Sequence, residues 1–360
     1  MTRNIDDAIA QTDLEIADQD PLAHAEERDL PMSDYTGVDH ASHITGIAIS
    51  SFYLVAALAT LYEVFSRYVL NHPTFWAFET VMTTVAAAWM LSAGYVTLKK
   101  RHIAITVIHG LTTRRQKWWL DLFAMLVGIF ALYMLLTDAP IRAYVSIERV
   151  EKSGSAFNSP LPMMMKSLMV IGAFMYLAQL MMNLHRHLNS NLGRLLVKIV
   201  SAYFVLYFAS AFLAEVFAFA PAEMFSGFIS GIGKALDPSQ ALDMRSMDLG
   251  TVSLIMVVML IALMMTGMPL GIVTLIVSVI GFFGPRGLFL VSSNAVGLLE
   301  HYSLVAVPFF VLMASILERA GIAEDLFDAM SIFAGNLRGG VAVQTTVVAV
   351  ILAAMSGVMG

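Results

Sequence analysis

The chain has 360 residues, of which 58% are hydrophobic and only 13% charged, with a mean hydropathy of +0.75. Soluble domains carry about 25% charged residues, so this sequence has too few polar side chains to cover a water-facing surface. That excludes a soluble enzyme or a nucleic-acid binder, and the absence of cysteine excludes disulfides, thiolate metal sites and cysteine nucleophiles.

Residues 1–43 hold eleven acids and two bases, Arg3 and Arg28, a local charge of −9, whereas the rest of the chain has 19 bases and 16 acids. This head lacks apolar periodicity and reads as a disordered acidic tail. It also lacks the basic start and apolar core of a secretory signal.

A membrane span needs about 20 mostly apolar residues. The first such stretch runs from Ile44 to about Leu70, interrupted by Glu63 and Arg67, and an Asn71-His72-Pro73 turn leads to a second from Trp76 to Leu98. A third covers Trp118 to about Thr137. The fourth, Leu161 to Leu184, has Pro162 well placed for a first helical turn. A fifth covers Ile199 to Ala220. From Leu249 to Pro285 there is no charged residue in 37, enough for two short helices broken at Thr266-Gly267-Met268-Pro269. A further span covers about Ser303 to Leu317. An amphipathic stretch from Glu318 to Arg338 follows, and Gly339-Gly340 opens a last apolar segment reaching Gly360. The expected fold is all-α: a polytopic transmembrane helix bundle of about eight spans plus a terminal helical-hairpin segment.

Lysine and arginine mark the cytoplasmic side of short loops. Between 99 and 117 there are six bases and no acid, so this loop and the 185–198 linker are expected inside. The 71–75 turn, the 138–159 loop and the 222–248 segment are expected outside. The reading is a multi-pass protein of the bacterial inner membrane with a cytoplasmic N-terminus.

Few residues suggest chemistry. Arg67 and Glu79 flank the first turn, and charges at membrane depth are usually paired or functional, so they are expected to form a structural ion pair that clamps the first hairpin or docks a neighbouring subunit, with direct contact to substrate or ion as the alternative. Glu63 and Glu215 have no evident partner. Seven methionines between Met163 and Met182 lack the interleaved Cys or His of a copper path and read as apolar packing. His185 and His187 read as interfacial polar residues, and Trp118 and Trp119 as interfacial anchors. The glycines from Gly227 to Gly233 lack a phosphate-loop continuation. No catalytic or metal-ligating residue and no bound cofactor is assigned. Ser356-Gly357, small residues between two apolar runs, is the one candidate for ion binding: an unwound hairpin tip can coordinate Na⁺ through carbonyls and a hydroxyl.

The stretch Tyr62-Glu63-Val64-Phe65-Ser66-Arg67-Tyr68-Val69-Leu70-Asn71-His72-Pro73, with Trp76, Glu79 and Lys100-Arg101-His102-Ile103, resembles the small membrane subunit of tripartite ATP-independent periplasmic (TRAP) transporters. Gly267-Met268-Pro269, Ser303-Leu304-Val305-Ala306-Val307-Pro308-Phe309-Phe310, Gly321-Ile322-Ala323, Leu337-Arg338-Gly339-Gly340 and Ser356-Gly357 look like the opening of the large one. The resemblance implies a fused permease: a small-permease-like four-helix domain over 44–188, a connecting helix and periplasmic linker over 189–248, and the N-terminal part of a large-permease-like transport domain over 249–360. It further implies Na⁺-coupled uptake of organic acids, C4-dicarboxylate-like, handed over by a periplasmic solute-binding protein. The remainder of the large subunit, with its inverted second half, would be a further partner, and this stretch alone is expected not to complete a transport cycle. Many family members read Ser-Gly-Ser at the hairpin tip, where this chain has Val358 in place of the second serine. The competing reading is a non-transporting membrane scaffold or a truncated permease fragment.

Overall fold

The computed structural model describes residues 30–105, 111–188, 191–217, 248–281, 287–299, 301, 306–334 and 339–356. Among them are a 3-10 turn, Met32–Asp34, and eleven α-helices: α1 Gly37–Tyr68, α2 Ala77–Leu98, α3 Arg114–Glu148, α4 Leu161–His187, α5 Asn191–Phe217, α6 Leu249–Met265, α7 Leu270–Gly281, α8 Gly287–Leu299, α9 Val307–Arg319, α10 Ile322–Ala334 and α11 Gly340–Ser356. No strand occurs among the described residues; the only β-type pairing there is an isolated antiparallel bridge between Ala104 and Pro269.

The helix ends follow local chemistry. Asp39 Oδ2 accepts the Thr36 N–H at 2.7 Å and its hydroxyl at 2.5 Å, tying down the first turn of α1. Gln116 does the same for Thr113 at the start of α3, and Asp248 accepts from the Gly250 N–H at the start of α6. Pro162 sits in the first turn of α4, as expected. After α2 the chain turns left-handed at Lys100 (φ 51°), and the Arg101 N–H returns to the Val96 carbonyl; after α3, Val150 (φ 45°) and Glu151 to Ser146 repeat the motif.

Several boundaries differ from expectation; α5, for one, begins at Asn191, eight residues before Ile199. The first helix begins at Gly37, seven residues inside the stretch read as tail, because Asp39 is consumed in capping and in a buried ion pair. The third continues through Pro140 to Glu148, carried by an i,i+4 ion pair of 2.5 Å between Asp138 and Arg142. α8 occupies a stretch for which no element was expected. The break between α6 and α7 falls at Thr266–Pro269, with Gly267 at φ 81°, so the uncharged stretch forms two short helices.

Among the described residues four helices, α1 to α4, are long and apolar enough to cross a membrane, and Gly250–Met265, Leu270–Gly281 and Gly340–Ile351 are shorter apolar helices. α1 packs on α2, α2 on α4 and α4 on α3, giving an up-down-up-down bundle in which α2 and α4 run parallel; α7 and α8 add to α3, and α9 to α1. Apolar helices gain little from burying apolar surface among lipid tails, so close approach of small residues governs this packing. Ala86 and Ala88 are fully buried on α2. Gly172 of α4 crosses α2 so tightly that an added Cβ would sit 2.4 Å from the Met90 carbonyl oxygen.

Gly172→Ala is therefore expected to cost about 1–3 kcal/mol, lowering the melting temperature of the detergent-solubilised chain. Gly271→Ala, where a Cβ meets nothing within 4 Å, is expected to leave it unchanged.

Candidate functional site

Polar side chains gather at the two ends of the bundle. At one end, fully buried Asp39 meets Arg186 in a two-pronged ion pair, Oδ1 accepting from Nη1 at 3.1 Å and Oδ2 from Nη2. Gln179 Nε2 donates to Asp39 Oδ1 at 2.8 Å, the Ser42 hydroxyl donates to Gln179 Oε1 at 2.9 Å, and Asn183 Nδ2 donates to the Thr97 carbonyl at 3.2 Å. Gln179, Asn183 and Arg186 follow one face of α4 at i, i+4 and i+7. They join the start of α1 and the end of α2 to the end of α4. Losing one partner of a buried ion pair costs about 3–5 kcal/mol, since the other is left uncompensated. The fourth element joins through Trp118, whose indole stacks on His187 at 5.0 Å and whose Nε1 donates to the His187 carbonyl at 3.4 Å. Trp118 and His187 thus link α3 to α4, and Trp119 is the exposed member of the tryptophan pair.

The loop after α2 carries this end into the second half of the chain. The single proton of the Thr97 hydroxyl goes to the Ala93 carbonyl at 2.6 Å, so His102 Nε2–H donates to Thr97 Oγ1 at 2.8 Å. The His102 ring stacks on Tyr176 at 5.0 Å, and burial lowers its pKa to about 4, leaving it neutral. The next carbonyl, Ile103, accepts the Leu270 N–H at 2.9 Å. Met268 and Ile272, on either side of that bond, are buried in one core with Ile129, Leu132 and Leu136 of α3 and Leu177, Leu180 and Leu184 of α4. The broken α6–α7 segment is thereby built into the four-helix bundle.

At the opposite end the expected Arg67–Glu79 pair is not formed. Arg67 pairs one turn back with Glu63, at 2.5 Å from Nη2 to Oε1, and the other oxygen of Glu63 accepts the Thr74 N–H and hydroxyl. The shorter i,i+4 reach along α1 decides this, and it supplies the partner Glu63 lacked in the sequence. Glu79 is 3% exposed and accepts the hydroxyls of Ser153, Ser155 and Ser159 and the Ser159 N–H. Four donors compensate the carboxylate without a cation and fold the loop before α4. Its neighbour Glu151 is held below the usual carboxylate range, first by the Lys166 ammonium and then by the Ser146 hydroxyl. The serine spacing 153, 155, 159 is the signal that sequence reasoning missed.

Ser356 is the last residue of α11, and Gly357 lies outside the described residues, so the candidate ion-binding tip is not described. Of the methionines between 163 and 182, Met165, Met169 and Met181 are buried in helix contacts, as packing residues.

Residues 56–190 match the family model described as tripartite ATP-independent periplasmic transporters, DctQ component, and residues 254–359 match that of the DctM component. The ectoine TRAP transporter large permease protein TeaC of Halomonas elongata is 36% identical over 108 residues, 29% of this chain and 25% of that protein. The C4-dicarboxylate TRAP transporter large permease protein DctM of Rhodobacter capsulatus is 31% identical over 108 residues, covering 29% and 24%. Its namesake in Pseudomonas aeruginosa is 38% identical over 58 residues, covering 16% and 14%. The chain thus spans a quarter or less of the length of these relatives.

Glu79→Gln is expected to loosen the 151–160 loop and raise tryptic cleavage after Lys152 severalfold. The charge exchange Arg67→Glu with Glu79→Arg is expected not to restore protection, because the two side chains do not meet.

His102 gives a second test. Its folded pKa of about 4 lies below its ordinary 6.5, so the unfolded chain binds more protons between these values. Stability should therefore fall as pH drops from 6.5 towards 4, by at most about 1.4 kcal/mol per pH unit from this group. Melting in detergent between pH 7.5 and 5 should show this slope, and His102→Gln should flatten it.

Proposed function

The chain belongs to the tripartite ATP-independent periplasmic transporter family, joining DctQ-type and DctM-type sequence in one polypeptide, and on that premise we propose that it forms the braced part of a Na⁺-coupled organic-acid permease of the bacterial inner membrane. The observation that carries this reading is the shared core, in which Met268 and Ile272 of the DctM-type part pack among α3 and α4 of the DctQ-type part. A static brace of this kind suits a transporter in which one body moves against another around a site near the bilayer midplane. The DctQ-type bundle and α7 form the static body. The moving body and the rest of the ion site belong with the DctM-type sequence towards and beyond Ser356 and Gly357.

The basic loop from 99 to 117 orients the Asp39 end to the cytoplasm, placing the Glu79 loop on the periplasmic face, where a solute-binding protein would deliver its cargo. Substrate class follows the relatives' names, C4-dicarboxylate and ectoine, and both belong in the assay.

Proteoliposomes holding this chain together with the remainder of a DctM-type subunit are expected to accumulate labelled C4-dicarboxylate only with both an inward Na⁺ gradient and the binding protein. Uptake indifferent to Na⁺ would overturn the coupling. Failure with every candidate solute would favour a non-transporting scaffold.

A further inference from the structure

The Glu79 end of the bundle holds an open cleft of about 220 Å³ between α1 and α2, lined by Thr60, Glu63, Val64 and Arg67 on one side and Phe78 and Val81 on the other. Its floor is apolar, with Val81 only 1% exposed, and its mouth is open, with Val64 47% exposed. The Arg67 side chain, 49% exposed, stands at that mouth.

Arg67 is held in place there. Glu63 Oε1 accepts from its Nε at 2.9 Å and from its Nη2 at 2.5 Å, while Glu63 Oε2 takes the Thr74 N–H and hydroxyl. A carboxylate offers about four lone-pair sites, so Glu63 is saturated and takes no further donor. The guanidinium has five N–H groups in a fixed fork, and its Nη1 has no partner among the described residues. The cleft thus presents donors and no spare carboxylate lone pair, which selects an oxyanion.

Depth narrows the oxyanion further. Arg67 lies in the last turn of α1, and Tyr62, Tyr68, Phe75 and Trp76 around it are all exposed. Exposed aromatic residues at a helix end mark the headgroup level of a bilayer. Thr60 and Val64 lie about one to two turns deeper along α1. An anchored cation at headgroup level with an apolar slot beneath it matches a phosphodiester bearing an acyl chain. We propose that this cleft binds one membrane phospholipid, with its phosphodiester on Arg67 and its chain along Val64 and Phe78. The proposal rests on the membrane-spanning fold and is independent of the transport reading.

The test is native mass spectrometry and thermal melting of the purified, delipidated full chain, titrated with phosphatidylethanolamine, phosphatidylglycerol, diacylglycerol or inorganic phosphate. One phospholipid should be retained at saturation, with a melting-temperature rise that neither diacylglycerol nor inorganic phosphate produces. Arg67→Gln should weaken the apparent affinity about tenfold, the loss of a charge-assisted hydrogen bond. Because Arg67→Gln also breaks the Glu63 pair, Val64→Trp supplies a second variant that fills the mouth and keeps both charges. It should abolish the retained lipid while leaving the lipid-free melting temperature unchanged. Equal stabilisation by diacylglycerol, or undiminished binding in both variants, would overturn the site and leave only ordinary annular contact. Saturation by inorganic phosphate alone would overturn the lipid as occupant.

Discussion

Apolar helices surrounded by lipid tails gain little by burying apolar surface against one another. Helix order must then come from shape and from polar groups that have no other place to go. The central bundle uses small residues for shape, with Gly172 against the Met90 carbonyl and Ala86 and Ala88 sealed on α2. Polar groups fasten the ends. Asp39 cannot remain ionised in a fully buried position without Arg186, Gln179 and Thr36, so it forces the start of α1 onto the end of α4. Glu79 exerts the same pressure at the other end through three serines, and it draws a loop rather than a helix.

The two ends are consequently built for different tasks. The Asp39 end is a rigid knot that includes all four bundle helices and continues through His102 and Ile103 into the α6–α7 break. A backbone bond to Leu270 flanked by the buried side chains of Met268 and Ile272 resists sliding, because α7 cannot shift without exposing a polar N–H. At the Glu79 end the carboxylate itself is buried, while Arg67 and Glu151 around it reach solvent. Arg67 is half exposed there, and the loop from 151 to 160 is organised by hydrogen bonds more than by packing. Such an end can meet headgroups or a soluble partner without disturbing the bundle.

One strained residue shows how the loop is held. Val150 adopts a left-handed φ of 45°, which a β-branched side chain rarely accepts. The next residue, Glu151, is anchored by the Ser146 hydroxyl at 2.5 Å and by the Lys166 ammonium. These contacts determine the turn, and the unfavourable torsion of about 1–3 kcal/mol is tolerated in consequence.

The all-helical class, the four long spans, the break at Thr266–Pro269 and the family resemblance were legible in the amino-acid order alone. Each depends on local quantities: runs of apolar residues, a Gly-Met-Pro interruption, a basic loop of six charges. Partner choice was mostly not legible, because it depends on distances across the fold. From sequence Arg67 was expected to pair with Glu79, leaving Glu63 without a partner, although the i,i+4 spacing of Glu63 and Arg67 was a local signal for the pair that forms. Asp39 looked like one more acid of a polar tail until Arg186, 147 residues away, was brought against it. The serine cage likewise emerges only when the loop folds over α2, since three hydroxyls at 153, 155 and 159 have no meaning without the buried charge they surround. Local pattern therefore determined the long apolar helices and the break between α6 and α7, whereas α8, the start of α1 and the end of α3 emerged only with the fold; tertiary structure also decided which charges may be buried, because the cost of burying a charge is set by neighbours remote in the chain.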